Sequence, residues 1–317
     1  MESNSLSSFV RILRESLHLF LKNKGLMTSI AMLILLLHSF LFSCNYFSIE
    51  PFTKDFVKKR VQLFFARPGT SKYTNIVTSM TSDFRMLAGL EWFFILALSM
   101  ASLFSSATTV LASAVTYAEG NLSFLYLLSR VFKSCKRLII TWFYVSLFNL
   151  GYLLLAFSLI FPFTVNFAFP LFRPTTFVYV MLIPVSAFHT YLAVVWKMSV
   201  VISVLEEKRG LEAFGKAWQI LKGLKTQGFL LNLVYDVLAL IGYIWWYMES
   251  PKKGTYYSLV MGLMLLNVGC LIKMLVDMAF TVLYHMCKLS HGEEIEFERI
   301  SKYIKVSNEP TIGADVA

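Results

Sequence analysis

The sequence predicts an all-α protein, a polytopic bundle of six transmembrane helices with three interfacial amphipathic elbow helices that form a threefold internal repeat. Three observations carry that expectation. Apolar residues fill 57% of the 317 positions, mean hydropathy is +0.64 and only 15% of residues are charged, far from the quarter usual in soluble domains. The charges gather in blocks between apolar runs of about 20 residues or more, each long enough for a helix to cross a hydrocarbon layer of about 30 Å. A basic amphipathic segment precedes the first, third and fifth of these runs.

The spans fall near residues 26–47, 90–116, 138–161, 177–205, 229–247 and 257–284. They divide the chain into an N-terminal amphipathic segment (1–25), a membrane domain (26–285) and a polar, partly disordered tail (286–317). The first span is expected to stay in the protein. About 25 residues precede it, its apolar run exceeds a signal core, and no small-residue cleavage pattern closes it.

The first loop, 48–89, is the longest segment outside the spans. Phe52, Phe56, Val57, Val61, Phe64 and Phe65 form a stripe with Lys54, Lys58, Lys59 and Arg60 off it, which predicts a further interfacial helix. ARPGTSKYTN then reads as a turn. In the second span Ser105, Thr109 and Ser113 recur at every fourth position beside Ser102 and Ser106, a small-residue face for close helix packing or, second, for a dimer. Pro184 predicts a kink in the fourth span. Trp245, Trp246, Tyr247, Tyr256 and Tyr257 bracket the ESPKKG turn as an aromatic belt.

Lys and Arg in the connections set the orientation. With the N-terminus inside, the inner segments hold Arg11, Arg14, Lys22 and Lys24; Arg130, Lys133, Lys136 and Arg137; Lys208, Arg209, Lys216, Lys222 and Lys225; and Lys288, Arg299, Lys302 and Lys305. The outer side holds Lys54, Lys58, Lys59, Arg60, Arg67, Lys72 and Arg85 in the first loop, then Arg173, Lys252 and Lys253. Seventeen against ten places both termini in the cytoplasm. This bias and attraction to anionic lipid heads account for the net charge of +10, so it is no nucleic-acid signal.

The repeat unit is a surface helix followed by two spans. In LSSFVRILRESLHLFLKNKGL the apolar stripe is Leu6, Phe9, Val10, Leu13, Leu17, Phe20 and Leu21, opposite Arg11, Arg14, His18 and Lys22. In NLSFLYLLSRVFKSCKRLI it is Leu122, Leu125, Leu128, Val131, Phe132 and Cys135; in GLEAFGKAWQILKGLKTQGFL it is Leu211, Phe214, Trp218 and Leu221. Such helices lie in the headgroup plane, apolar face down. They serve either as structural elbows packed on the bundle or as lipid sensors.

Ionisable residues inside spans are the default functional candidates in a membrane protein. Here they are Lys197, Asp236, Lys273 and Asp277. Helical rise places Lys197, Asp236 and Asp277 about 10–13 Å from the cytoplasmic ends, with Lys273 one turn deeper. Lys273 and Asp277 are four apart and can pair directly. Two cations with two anions form a neutral set suited to burial, read first as a pairing network locking the third hairpin to the fourth span and second as an ion or proton relay. Asn149, Asn232 and Asn267 read as interhelical hydrogen bonders. His38 and His189 lack a partner motif and read as satisfied core residues.

Signatures of catalysis are missing from the sequence. Cys44, Cys135, Cys270 and Cys287 show neither C-x-x-C nor metal spacing; Cys135 and Cys287 sit where palmitoylation occurs. No G-x-S-x-G, H-E-x-x-H, P-loop or dinucleotide fingerprint is present, so no cofactor and no catalytic residue is assigned. The sequon at Asn121 falls on the expected cytoplasmic side, where it would go unused.

The run KMSVVISVLEEKRGLEAFGKAWQILKG, with RILRESLHLFLKNKGL near the N-terminus, resembles an uncharacterised family of plant multi-span membrane proteins over nearly the whole chain. The charged elbow at Glu206, Glu207, Lys208 and Arg209, followed by G-x-x-A and W-x-x-x-K-G, is similar over residues 191–235 to the membrane domain attached to some bacterial glycerophosphodiester phosphodiesterases. The matching positions are Glu206, Gly210, Ala213, Trp218, Lys222 and Gly223. They form an elbow and not a catalytic constellation. The expected spans and their connections leave no room within these 317 residues for the soluble phosphodiesterase barrel, so the resemblance is not expected to carry over enzymatic activity. The expected function is a non-enzymatic scaffold or lipid-interacting protein of the endoplasmic reticulum or another endomembrane, with the plasma membrane as the other site. Its expected partners are the bilayer and anionic lipid heads at the basic elbows. The alternative is a small-solute or proton-coupled transporter using the Lys/Asp layer.

Overall fold

A computed structural model describes residues 2–118, 123–165, 174–206, 208–249 and 255–292. The sequon at Asn121, together with Leu122, Arg173, Glu207, Lys252, Lys253, Arg299, Lys302 and Lys305, lies outside the described residues. Those described are helical apart from short turns and hold no strand. Eight helices follow in order: α1 (Glu2–Lys22), α2 (Lys24–Phe65), α3 (Ser71–Tyr117), α4 (Phe124–Val165), α5 (Pro174–Leu205), α6 (Leu211–Ile220), α7 (Lys225–Glu249) and α8 (Thr255–Ser290). Six of them, α2, α3, α4, α5, α7 and α8, are long and apolar enough to cross a membrane. With that composition, the protein is an integral, multi-pass membrane protein.

The helices overrun the expected spans. α2 and α3 hold 42 and 47 residues, so at 1.5 Å per residue each is about twice the length a bilayer core requires. The expected separate interfacial helix at 52–65 is instead the C-terminal part of α2, which stays helical through Pro51. Only residues 66–70 turn, with Gly69 in the left-handed region at φ 84°. The second half of ARPGTSKYTN already belongs to α3.

By packing, the chain divides into two compact units: Ala31–Leu103 with Gly242–Leu271, and Met1–Ile30 with Phe104–Ile241 and Ile272–Ala317. In the first, residues 52, 56, 59 and 63 of α2 and 73, 76, 80, 83 and 87 of α3 are half-buried, while most positions between them are exposed. That alternation of three and four has the a/d spacing of a coiled-coil seam. Lys59 sits in the seam, paired with Asp83 across it and with Asp55 at 2.7 Å. Further along α2, Ser39 donates to Asn267 of α8 at 2.8 Å. Gly262 lets α8 approach α2 there, since a Cβ would fall 2.8 Å from the Phe42 ring.

In the second unit the small-residue face of α3 is buried against α8. Ser105, Thr109 and Ser113 are nearly inaccessible, and the Ser113 hydroxyl lies 3.0 Å from that of Thr281. α5 stays helical through Pro184. His189 meets Asn149 of α4 at 3.2 Å, the partner the sequence motifs did not supply. His38 bonds the Ile34 carbonyl.

The three elbow segments differ from one another. α1 and α6 are separate helices, but residues 124–137 run straight into α4. Among the described residues, their buried faces overlap the expected stripes fully only at Val131 and Leu221. α1 packs through Ile12, Ser16 and Leu19 while Val10, Leu17 and Leu21 are more than half exposed. α4 packs through Leu127, Val131 and Leu138 and exposes Leu125 and Phe132; α6 packs through Ala213, Ala217 and Ile220 and exposes Leu211 and Trp218. A helix that must cover protein with one side and meet acyl chains with another needs two apolar faces, and a single-stripe reading sees only the larger.

Candidate functional site

The intramembrane polar residues come from four helices of one unit: Ser106 on α3, Thr190 and Lys197 on α5, Asn232 and Asp236 on α7, Lys273 and Asp277 on α8. Lys273 and Asp277 pair at 3.2 Å as their spacing demands, and the Lys273 ammonium also donates to the Ser106 hydroxyl. Asp236 accepts from the Thr190 hydroxyl at 2.9 Å, and the Asn232 amide donates to the Thr190 carbonyl at 3.3 Å. Lys197 has no ion pair among the described residues. Its ammonium lies 4.6 Å from the Tyr235 ring centre and 5.6 Å from that of Phe280, a cation–π seat. Asp277 and Asp236 still attract it and Lys273 repels it.

The four residues therefore share a field without forming the closed neutral set expected of them. Asp277 is buried, but Asp236 is exposed on the surface of α7. The depth count that placed them together fixes height along a helix, whereas facing direction decides contact.

The densest charge cluster lies where α5 ends and the elbow begins. Glu206 accepts a hydrogen bond from the Tyr284 hydroxyl at 2.6 Å and pairs with Lys288 at 3.0 Å and Lys216 at 3.1 Å. Side-chain exposure is 7% for Glu206, 6% for Lys288 and 20% for Lys216. Burial pushes the carboxyl up, but the hydrogen bonds from Tyr284, Lys288 and Lys216 outweigh it and hold Glu206 below its ordinary value of 4.5. Beside it His285 is buried, with neither ring nitrogen bonded among the described residues, stacked on Tyr117 at 4.4 Å.

Four of the five remaining elbow positions have a structural role. Gly210 turns the chain at φ 55°, its amide donates to Thr141 of α4 at 2.9 Å, and a Cβ would press within 3.0 Å of the Tyr144 ring. Ala213 is fully buried where α6 meets the bundle. Gly223 takes φ 102° in the turn to α7, and Lys222 is exposed. Trp218 carries Lys225 over its ring at 3.6 Å. Residues 2–311 match the family described as Domain of unknown function (DUF8558). The chain belongs to the DUF8558 family. No curated protein and no solved structure matches it.

In this DUF8558 chain the sequence reading missed Tyr284, Lys216 and Lys288 as partners of Glu206. α8 continues past the expected end of the sixth span to Ser290 and buries Lys288. Cys287 is likewise fully buried, which closes it to acylation in this fold; Cys135 is half-exposed.

Proposed function

We propose that this protein is a non-enzymatic, lipid-interacting scaffold of an endomembrane, holding elbow helices in the headgroup layer of one leaflet. The carrying observation is the double-faced α6: Ala213, Ala217 and Ile220 are buried in the bundle while Leu211 and Trp218 are exposed. Exposed Lys222 and half-buried Lys208 and Lys225 flank it, the arrangement of a helix lying among anionic lipid heads. α1 and the start of α4 share it, which supports the threefold repeat, and the charge bias supports cytoplasmic elbows and termini. The likeness to plant multi-span proteins and to the bacterial membrane domain belongs to this same reading. Membranes containing brominated lipid provide the test. The difference in quenching between wild type and Trp218→Phe reports Trp218 alone, and strong shallow quenching is expected. A Trp218 contribution untouched by bromine at any depth would refute the seat.

The transport reading draws support from Lys197, which lacks an ion pair among the described residues, and from the exposed Asp236. A folded Asp277→Asn protein that has lost a proton-coupled flux would favour it over the scaffold.

A further inference from the structure

The acids of the α2–α3 stalk are already engaged below its tip. Glu50 holds Lys54 at 2.7 Å, and Asp55 and Asp83 both hold Lys59. Lys58, Arg60, Arg67 and Lys72 are all exposed and carry no ion pair among the described residues. In sequence they flank the two most exposed aromatic side chains of the stalk, Phe64 at 86% and Phe65 at 79%. Water should not face such a pair without compensation. The apolar run of α2 ends near Phe47, and 17 residues of continuous helix carry Phe64 about 26 Å further along the axis. The seam with α3 holds that length as a two-helix stalk.

We propose that the tip of this hairpin docks onto an anionic lipid surface other than the leaflet in which α2 and α3 are seated. Phe64 and Phe65 enter the headgroup layer, and Lys58, Arg60, Arg67 and Lys72 meet lipid phosphates. Apolar insertion or a few cations alone hold a membrane weakly, and the two together hold it well. Charge decides the occupant: four unpaired cations on each tip repel a second copy of this chain and attract phosphate. The tip residues belong to none of the elbow segments, so this contact is separate from the elbow reading.

The test uses the full-length protein in neutral phosphatidylcholine nanodiscs, mixed with free vesicles and separated by flotation. Wild type is expected to rise with phosphatidylserine-rich vesicles, not with phosphatidylcholine vesicles, and to be released by high salt. Phe64→Ser/Phe65→Ser and, independently, Arg67→Glu/Lys72→Glu should each reduce co-flotation about tenfold or more while the discs elute unchanged. Wild type that ignores the anionic vesicles, or variants that float as well as wild type, would overturn the proposal. Disc-to-disc association lost in the Phe variant would overturn it too, by assigning the tip to a second copy.

Discussion

Lys288 lies 3.0 Å from Glu206, and both side chains are almost wholly shut away from solvent. A buried ion pair is a poor source of net stability, yet removing one member leaves an uncompensated charge. Lys288→Ala should therefore destabilise the protein by about 3 kcal/mol, the low end of such losses because Lys216 still faces the carboxylate. Thermal unfolding in detergent checks this; an unchanged midpoint would exclude the clamp.

The same carboxylate sets a pH dependence. Its folded-state pKa is depressed below 4.5, so its stabilising contribution is complete above the unfolded value and lost as pH falls through the folded one. Unfolding midpoints should be level from neutral pH to about 5 and then drop on further acidification. In Glu206→Gln the neutral midpoint should be lower and the acid drop smaller. Equal slopes for the two proteins would show that other groups titrate.

Lys273 and Asp277 offer a sharper comparison because each can be removed with or without the other. Asp277→Leu or Lys273→Met alone should cost about 3 kcal/mol, and the double variant should recover most of that loss. Additive losses in a double-mutant cycle would mean that the 3.2 Å pair contributes no coupling.

α5 and α7 touch at Gly228, where a Cβ would come within 2.5 Å of Val194 Cγ1. Gly228→Ala should destabilise by about 1–3 kcal/mol through overpacking, and Val194→Ala should rescue it. Detergent-resistant folded fraction is the readout. Gly228→Ala without effect would show that the helices separate freely at this contact.

In the stalk, Lys59→Asp should splay α2 from α3 by setting like charges across the seam, and Lys59→Asp/Asp83→Lys should restore them. Protease sensitivity of residues 48–89 in sealed vesicles reports the splay. Equal resistance of all three proteins would deny the Lys59–Asp83 contact a role.

Hydropathy made the six long helices legible, since a bilayer demands about 20 apolar residues whatever their neighbours. Lys273 with Asp277 was legible because four residues is one helical turn. The Glu206 clamp was not, because its hydroxyl donor Tyr284 is 78 residues away and Lys288 reads as an ordinary cation after a span. The stalk was hidden by its own charges. Lys59 in the seam looks like a solvent-facing residue, and the half-buried Phe52 and Phe56 share one sequence stripe with the exposed Val57, Val61, Phe64 and Phe65, which hid the face turned to α3.

Thr141 gathers three strands of bonding in one oxygen: it accepts from the Gly210 amide at 2.9 Å and lies 3.0 Å from the Ser203 hydroxyl and 3.2 Å from the Arg137 carbonyl. A buried amide held by a single side-chain acceptor exchanges its proton only when that local arrangement opens. Gly210 is thus a built-in timer. Its deuterium uptake would clock the release of α6 from α4 and α5 separately from the melting of the rest, and Thr141→Val would set it running fast.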